Sequence, residues 1–221
     1  MENRSTEDYI KSIFQLGRKG GMVSTSALAR QLGVRNGSIT GMLKSLALRN
    51  LVRYERYRGV SLTARGRRIA LQTIRRHRLW EVFLVQSLGY SWDQVHVEAE
   101  RLEHVTSEKL EKHLDRVLGY PGFDPHGDPI PTVRGQIDVE LKTRLTDCRP
   151  GWTAVVRRVS DRNSATLKHL ADMGLGIDSR LRVTGKGEPD GSITIVVGRT
   201  TRLLERQIAE SIFVVSRRLR T

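Results

Sequence analysis

The segment from Asp93 to Val105 constrains the fold more than any other, because it sets metal-binding residue types at helical spacing. It reads Asp-Gln-Val-His-Val-Glu-Ala-Glu-Arg-Leu-Glu-His-Val. At roughly 100° per residue, a helix places several of its polar side chains within about 100° of one another. These side chains are His96, Glu100, Glu103 and His104. Divalent first-row metals prefer such mixed nitrogen and oxygen ligands. The pattern predicts a metal-binding helix, and the alternative is an ordinary solvated helix face.

Composition limits the class of protein. A chain of 221 residues with 38% hydrophobic content is long enough for two or three small domains. No apolar run approaches the ~20 residues of a membrane-spanning helix, and the N-terminus lacks the pattern of a signal peptide. We therefore expect a cytoplasmic protein. Cys148 is the only cysteine, which excludes an internal disulfide and a multi-cysteine zinc site.

The net charge of +14 is unevenly distributed along the chain. Residues 1–90 carry +12, residues 91–147 carry −5 and residues 148–221 carry +7. A basic N-terminal part indicates a polyanionic partner, because neutralising phosphates releases counterions, although a basic excess also suits a merely soluble surface. The acidic middle part contains the His/Glu helix.

The N-terminal part has the pattern of a winged helix. A short helix after Ser24 ends at Gly33, and another begins near Asn36, which is typical of a helix-turn-helix. In the segment Leu51–Leu62, apolar and polar residues then alternate as in a two-stranded hairpin, with basic residues at its tip. This arrangement predicts a DNA-binding domain. The candidate DNA-contacting residues are Arg35, Asn36, Ser38, Thr40, Lys44, Arg56 and Arg58.

The rest of the chain predicts a helical middle part and a small β-structure. A long helix after Thr63 places His77 and Glu81 on one face, and the apolar residues of a later helix are expected to pack inward or against a second chain. Beyond residue 151, short strands with tight turns indicate a small barrel. This last part contains no glycine-rich phosphate loop and no nucleophile with a paired base that we can identify. We do not expect the protein to be an enzyme.

The whole chain resembles the diphtheria toxin repressor family of metal-dependent transcriptional regulators in its three-domain form. The resemblance lies in Leu28–Leu62, Arg76–Glu81, His96–Val105 and Pro125–Pro131, and Leu167–Val183 with Ile193–Val197 resembles an SH3-like domain of ferrous transport accessory proteins. It implies an α+β fold with an N-terminal winged helix-turn-helix, a helical dimerisation domain and a C-terminal SH3-like small β-barrel. The expected boundaries are 1–70, 71–140, a linker at 141–150, and 151–221.

The resemblance also implies two groups of metal ligands. The main site would comprise Asp8, His77, Glu100, Glu103 and His104. On the sequence alone, Asp8 would equally suit a capping arrangement with Ser5 at the start of the first helix. The accessory site would draw on Glu81, His96, Asp124, His126 and Asp161.

The function implied is that of a homodimeric repressor whose binding to a palindromic DNA operator is activated by Mn²⁺, with Fe²⁺ as the second choice. Three carboxylates and two imidazoles form a hard ligand set without sulfur, whereas iron-responsive members of the family carry sulfur at the positions of Asp8 and Glu100. Without metal, the carboxylates are expected to repel one another and to leave the first helix poorly held.

Lys11 departs from the family pattern, because the manganese-responsive branch usually has a glutamate there. Protonated Lys11 cannot be a metal ligand, and its position one turn after Asp8 allows it to pair with that carboxylate in the metal-free state. Its charge argues against a tightly coupled two-metal site. Three alternative functions stay open at this point: an iron-responsive regulator of the same family, a metal-delivery accessory protein that binds no DNA, and a metallohydrolase that uses the same ligands.

Overall fold

The computed structural model describes residues 2–17, 20–137, 143–160 and 163–218. The chain divides into two compact units, the first built from residues 1–78, 100–113 and 131–137 and the second from the remainder. In the described residues the elements are α1 (Arg4–Leu16), α2 (Thr25–Leu32), α3 (Asn36–Leu48), β1 (Val52–Glu55), β2 (Gly59–Leu62), α4 (Ala64–Leu88), α5 (Val95–Leu102), α6 (Glu108–Val117), β3 (Trp152–Val159), α7 (Ser164–Asp172), β4 (Arg180–Lys186), β5 (Ile193–Val197), β6 (Thr200–Leu204), α8 (Arg206–Ser211) and β7 (Ile212–Arg218).

The first unit contains the winged helix. Helix α2 begins where the Ser24 hydroxyl accepts a hydrogen bond from the Ala27 backbone N–H, and it ends at Gly33, which has the left-handed φ of 66° that glycine adopts without strain. Helix α3 follows after two residues, and β1 and β2 pair antiparallel as the wing. The predicted helix-turn-helix and wing therefore form from the expected segments.

Helix α1 shares the hydrophobic core of the winged helix. Ile10 and Ile13 on α1 are buried in the same cluster as Leu28 of α2 and Leu43 of α3. Because protein cores are closely packed, a displacement of α1 is transmitted to the helices that it touches. The apolar face of α1 thus connects it to the DNA-binding helices, and its polar face is left for other contacts.

The start of α1 differs from the sequence prediction. Asn3 is the N-cap, and its side-chain oxygen accepts a hydrogen bond of 2.9 Å from the Thr6 backbone N–H. The predicted capping arrangement of Ser5 with Asp8 is therefore wrong, because both residues already lie within the helix. Asparagine is as effective as serine at this position, so the helix begins earlier than expected.

The helix predicted to carry four metal-binding side chains also ends earlier than expected. Helix α5 finishes at Leu102, whose carbonyl accepts a 2.7 Å hydrogen bond from the Thr106 hydroxyl, and Glu103 and His104 lie in the turn that follows. The side-chain hydrogen bond satisfies a carbonyl that the helix end leaves open. The directions of the Glu103 and His104 side chains are therefore not set by the 100° spacing of a helix.

The second unit contains a five-stranded antiparallel sheet with the order β6-β5-β4-β3-β7. Its core consists of aliphatic side chains such as Val156, Val183 and Ile195, with Leu167 and Leu170 of α7 packed among them. The short strands predicted beyond residue 151 are present and form this sheet, although β6 is weakly marked in the sequence. Only Leu204 of β6 is buried, so that strand lacks the alternation by which strands are recognised.

The architecture confirms the predicted α+β class, with helical elements followed by a small antiparallel sheet. Among the described residues, no helix combines the length and the apolar character that crossing a membrane requires.

Candidate metal centre

The five side chains predicted for the main site lie together in the first unit, and we refer to them as the main cluster. Donor atoms of Asp8 on α1, Glu100 on α5, and Glu103 and His104 in the following turn all lie within 4.8 Å of one another. His77 of α4 joins them through its Nδ1, which is 2.6 Å from Glu103 Oε2 and 3.9 Å from Glu100 Oε1. The fold thus brings three separate parts of the chain to one place.

The main cluster is buried on one side and accessible on the other. The side chain of Glu103 is fully buried and that of His77 is 6% exposed, whereas the side chains of Asp8 and Glu100 are about a third exposed. A buried carboxylate is unfavourable unless cations or hydrogen-bond donors compensate its charge. The cluster therefore requires positive charge, and the exposed side offers a route for a cation to enter.

His104 has the geometry of a histidine that is prepared to bind a metal ion. Its Nδ1 lies 2.7 Å from Glu7 Oε2, while its Nε2 lies 2.9 Å from Asp8 Oδ1 and 3.3 Å from Glu103 Oε1. The Nε2 atom is buried and forms no hydrogen bond. A carboxylate on one ring nitrogen directs the other nitrogen toward a metal. The residues present therefore fit a divalent cation at this position.

The electrostatic surroundings of His104 favour a positive charge. Burial lowers the pKa of His104, but the carboxylates of Asp8 and Glu7 outweigh burial and raise it to about 9. The position therefore attracts either a proton or a cation, and the two compete because a metal ligand must be deprotonated.

Glu7 is a buried neighbour of the main cluster that the sequence did not predict. It is 3% exposed, and besides His104 it lies near Arg76, with 3.8 Å between Arg76 Nη1 and Glu7 Oε1. Arg76 Nε in turn donates a 3.1 Å hydrogen bond to Glu111 Oε2. Glu7 precedes Asp8 in the first helix, where acidic residues are common for helix-dipole reasons, so the sequence held no signal for its role.

Lys11 lies inside the main cluster, and its predicted pairing with Asp8 is wrong. Its Nζ donates to Glu100 Oε1 at 2.5 Å and to the two oxygens of Glu103 at 2.9 and 2.8 Å. Burial lowers the pKa of Lys11, but the Glu103 and Glu100 carboxylates outweigh burial, and the pKa is raised. The carboxylates are thus compensated by cationic side chains, and the expectation that their repulsion leaves α1 poorly held does not describe this arrangement.

A second group of acidic and histidine side chains lies in the second unit, and we call it the accessory cluster. It consists of Glu81, Asp124 and His126, whose donor atoms lie within 4.8 Å of one another and which are all buried. His126 Nε2 donates a 2.7 Å hydrogen bond to the Trp92 carbonyl, because a carbonyl only accepts. Its Nδ1 is buried without a hydrogen bond, 3.8 Å from Glu81 Oε2.

Local hydrogen bonds hold the accessory cluster in place. Asp124 Oδ1 accepts 2.9 Å hydrogen bonds from the backbone N–H groups of both His126 and Asp128, so this carboxylate shapes the proline-rich loop. The His126 carbonyl accepts from Val159 N at 2.9 Å, which ties the loop to β3. Burial lowers the pKa of His126, but Glu81 and Asp124 outweigh burial and raise it to about 10.

Two further residues were predicted for the accessory site. His96 Nδ1 lies 3.5 Å from Glu81 Oε1, and the His96 side chain is 40% exposed. Asp161 lies outside the described residues. The structure therefore brings Glu81, Asp124 and His126 together, with His96 beside Glu81.

The candidate DNA-contacting residues lie on one helix and on the wing. Arg35, Asn36, Ser38 and Lys44 are exposed at or along α3, and Thr40 is half-buried. On the wing, Arg56 lies over the Tyr57 ring at 4.8 Å, and Arg58 forms a 2.6 Å ion pair with Glu55. The charge of Arg58 is thus partly compensated in the free protein.

Comparison with known proteins matches each part of the chain. Residues 1–60 match a model described as the iron dependent repressor N-terminal DNA binding domain, residues 63–132 match the metal binding and dimerisation domain of the same repressors, and residues 143–216 match the FeoA domain. The iron-dependent repressor IdeR of Mycobacterium tuberculosis is 31% identical over 95% of this chain and 96% of that protein.

Solved structures agree with these matches. A manganese-dependent transcriptional repressor in complex with manganese has a TM-score of 0.88 and 41% identity, covering 96% of this chain and all of that one. The manganese regulator SloR has a TM-score of 0.79 and 32% identity, covering 98% of this chain and all of that one.

The fold and the comparisons define the class as winged-helix transcriptional regulators that respond to metal ions, and not enzymes. The chain belongs to the diphtheria toxin repressor family, in the form with a third, SH3-like domain. DNA and a second copy of the chain are its partners.

The contact between Glu7 and His104 predicts that Glu7 positions a metal ligand. We expect Glu7→Gln to lower Mn²⁺ affinity about tenfold, because the amide oxygen still accepts from His104 Nδ1 but the negative charge that strengthens the ligand is lost. Competition with a fluorescent chelator measures the affinity. Glu108→Gln, which removes an exposed carboxylate from the same unit, serves as the control. Equal affinities in the two variants would show that Glu7 has no such role.

Proposed function

We propose that this chain is a repressor activated by Mn²⁺, with Fe²⁺ as the second choice, which binds a palindromic operator as a homodimer and controls metal homeostasis genes. The main cluster would hold the metal ion. The observation that carries the proposal is the gathering of Asp8, Glu100, Glu103 and His104 donor atoms within 4.8 Å. His104 Nε2, buried without a hydrogen bond among these carboxylates, supports it further.

The link from the main cluster to DNA runs through α1. Asp8 is on the polar face of this helix, and Ile10 and Ile13 bury its apolar face in the core that contains Leu43 of α3. When bound, the metal ion supplies positive charge to the carboxylates. Asp8 of α1 would hold the ion together with Glu103 and His104, and the shared core would transmit the position of α1 to α3. One arrangement of the recognition helix is thereby favoured over others.

In a dimer, the position of each α3 helix affects the affinity for the operator. In a two-fold dimer the two recognition helices must enter the major groove about one DNA turn apart, ~34 Å. Fixing each α3 therefore raises the affinity for a palindromic site. By thermodynamic linkage, the operator must tighten metal binding by the same factor.

The proposed DNA contacts are divided between helix and wing. Asn36, Ser38 and Thr40 are short polar side chains at the start of α3, where they allow close approach to base edges. Arg35, Lys44, Arg56 and Arg58 are suited to phosphate contacts, which position a protein without specifying sequence. A DNA-bound regulator is expected to act in the cytoplasm, where the chromosome and the metal pool are found.

The choice of metal follows from the ligand types. Asp8, Glu100 and Glu103 provide oxygen, His77 and His104 provide nitrogen, and the main cluster contains no sulfur. Such a hard set suits Mn²⁺. Relatives with manganese in their names support this choice, and the iron-dependent repressors among the relatives keep Fe²⁺ as the second candidate.

We further propose that the accessory cluster binds a second metal ion. Glu81, Asp124 and His126 supply two carboxylates and an imidazole whose Nδ1 is directed toward Glu81. Asp161 and His96 are proposed to complete the site. The domain boundaries are likewise proposed at 1–70, 71–140 and 151–221 with a linker at 141–150. Family matches at 1–60 and 63–132 support the first two domains, whereas the third match, at 143–216, begins within the proposed linker.

The proposed function predicts metal-gated DNA binding. Mn²⁺ should tighten binding to the native upstream region at least about tenfold, which corresponds to roughly 1.4 kcal/mol of coupling. His104→Ala should abolish this gain by removing a ligand, whereas Lys44→Ala should weaken DNA binding and leave the Mn²⁺ affinity of the free protein unchanged. Fluorescence anisotropy at fixed ionic strength, with a scrambled duplex as control, measures both effects. Equal operator affinity with Mn²⁺ and with a chelator would contradict the proposal.

The ligand types predict the metal preference. Anaerobic titrations of operator binding should give a stronger response to Mn²⁺ than to Fe²⁺ in the natural chain. The double variant Asp8→Met/Glu100→Cys should move the preference toward Fe²⁺, because sulfur ligands replace hard oxygens. If the natural chain responds to Fe²⁺ alone, or the double variant keeps the original preference, the hardness argument is wrong and the iron-responsive alternative is favoured.

The accessory cluster predicts a second metal ion per chain. Asp124→Asn should remove one Mn²⁺ in equilibrium dialysis, because the variant keeps the oxygen that accepts from His126 N and Asp128 N but loses the charge. Asp172→Asn, an exposed substitution in the same unit, is the matched control. An unchanged number of bound ions in Asp124→Asn would refute the second site.

A further inference from the structure

The ammonium group of Lys11 is fully engaged within the main cluster. Lys11 is on α1, one turn after Asp8, and its side chain is 7% exposed. Three carboxylate oxygens accept from Nζ, one of Glu100 at 2.5 Å and both of Glu103 at 2.9 and 2.8 Å. An ammonium has three N–H donors, so these oxygens satisfy all of them. His77 Nδ1 lies 3.5 Å from the same Nζ.

The contacts divide the main cluster into two halves. Lys11 compensates Glu100 and Glu103, next to His77, while His104 lies between Asp8 and Glu7. In the Lys11 half, the ammonium donates directly to the candidate ligands, whereas in the His104 half the guanidinium groups are farther away, with Arg76 3.8 Å from Glu7 and Arg4 4.0 Å from Asp8. The His104 half instead contains a ring nitrogen that forms no hydrogen bond.

A metal ion and the Lys11 ammonium require the same carboxylates. A dication bound by Glu100 and Glu103 would lie within a few ångströms of Nζ, and two positive charges at that separation repel strongly where water is largely excluded. The ammonium must therefore leave these oxygens when a metal ion binds them. Its departure also breaks three hydrogen bonds, which the metal ion has to replace.

We propose that Lys11 competes with the metal ion for Glu100 and Glu103 and thereby sets the metal concentration at which the regulator responds. The inference rests on the main cluster being the metal site proposed above. In this role Lys11 determines the affinity of the site for a metal ion, and it is not itself a metal ligand. It also stabilises the metal-free protein, because removing the cation from a buried ion pair leaves its carboxylates uncompensated.

The test measures Mn²⁺ binding to the free protein, without DNA. Lys11→Met keeps the length and apolar stem of the side chain, Lys11→Gln keeps an N–H donor, and both lose the charge. We expect each variant to bind Mn²⁺ at least about tenfold more tightly than the natural chain in competition with a fluorescent chelator. Lys112→Met, at an exposed position of α6 in the same unit, should remain within about twofold of it. Tighter binding cannot result from a folding defect.

Thermal unfolding provides a second readout from the same proteins. The melting temperature of metal-free Lys11→Met should fall, and the increase produced by saturating Mn²⁺ should be larger than in the natural chain. Affinity that is unchanged or weaker in both neutral variants would overturn the competition. If neither the natural chain nor the neutral variants bind Mn²⁺ in this titration, the proposed function itself fails, and this outcome is distinct from the failure of the competition alone.

Discussion

The first unit depends on compensating negative charge that is buried in its interior. Glu7 and Glu103 are almost completely enclosed, and Asp8 and Glu100 lie beside them. An uncompensated buried carboxylate costs several kcal/mol, so the surrounding positions must supply cations. Lys11, His104 and Arg76 fulfil this requirement from α1, the turn after α5 and α4, and His77 Nδ1 lies 2.6 Å from Glu103 Oε2. The same requirement makes the site attractive to a divalent metal ion.

This charge balance matters for function because α1 has two different faces. Its apolar side chains belong to the core of the winged helix, and its polar side chains Glu7, Asp8 and Lys11 belong to the main cluster. Any change of cation in the cluster therefore acts on a helix that is packed against the DNA-binding helices. If the main cluster is the metal site, as proposed, metal sensing and DNA binding share α1, and an ion bound there is able to influence the distant DNA-binding surface.

The accessory cluster solves the same problem of buried charge by different means. His126 is held by the Trp92 carbonyl through Nε2, and the backbone N–H groups of His126 and Asp128 hold Asp124. Each of these two clusters contains one imidazole nitrogen without a hydrogen bond, His104 Nε2 in the main cluster and His126 Nδ1 in the accessory cluster. Each of these nitrogens is directed toward a carboxylate. In each case the other ring nitrogen is fixed by an acceptor, which is the arrangement that prepares an imidazole to bind a metal ion.

The amino-acid sequence by itself determined the features that depend on neighbouring residues: the winged helix, the order of the main helices and strands, and the residue types of the main cluster. These follow from periodicity, turn residues and spacing, all of which act over a few positions. The roles of Glu7 and Lys11 were decided only by the tertiary structure. Their partners, His104 and Glu103, are more than ninety positions away in the chain. The sequence placed Lys11 next to Asp8 because they share a helix, but the buried carboxylates from a distant segment attract the ammonium more strongly.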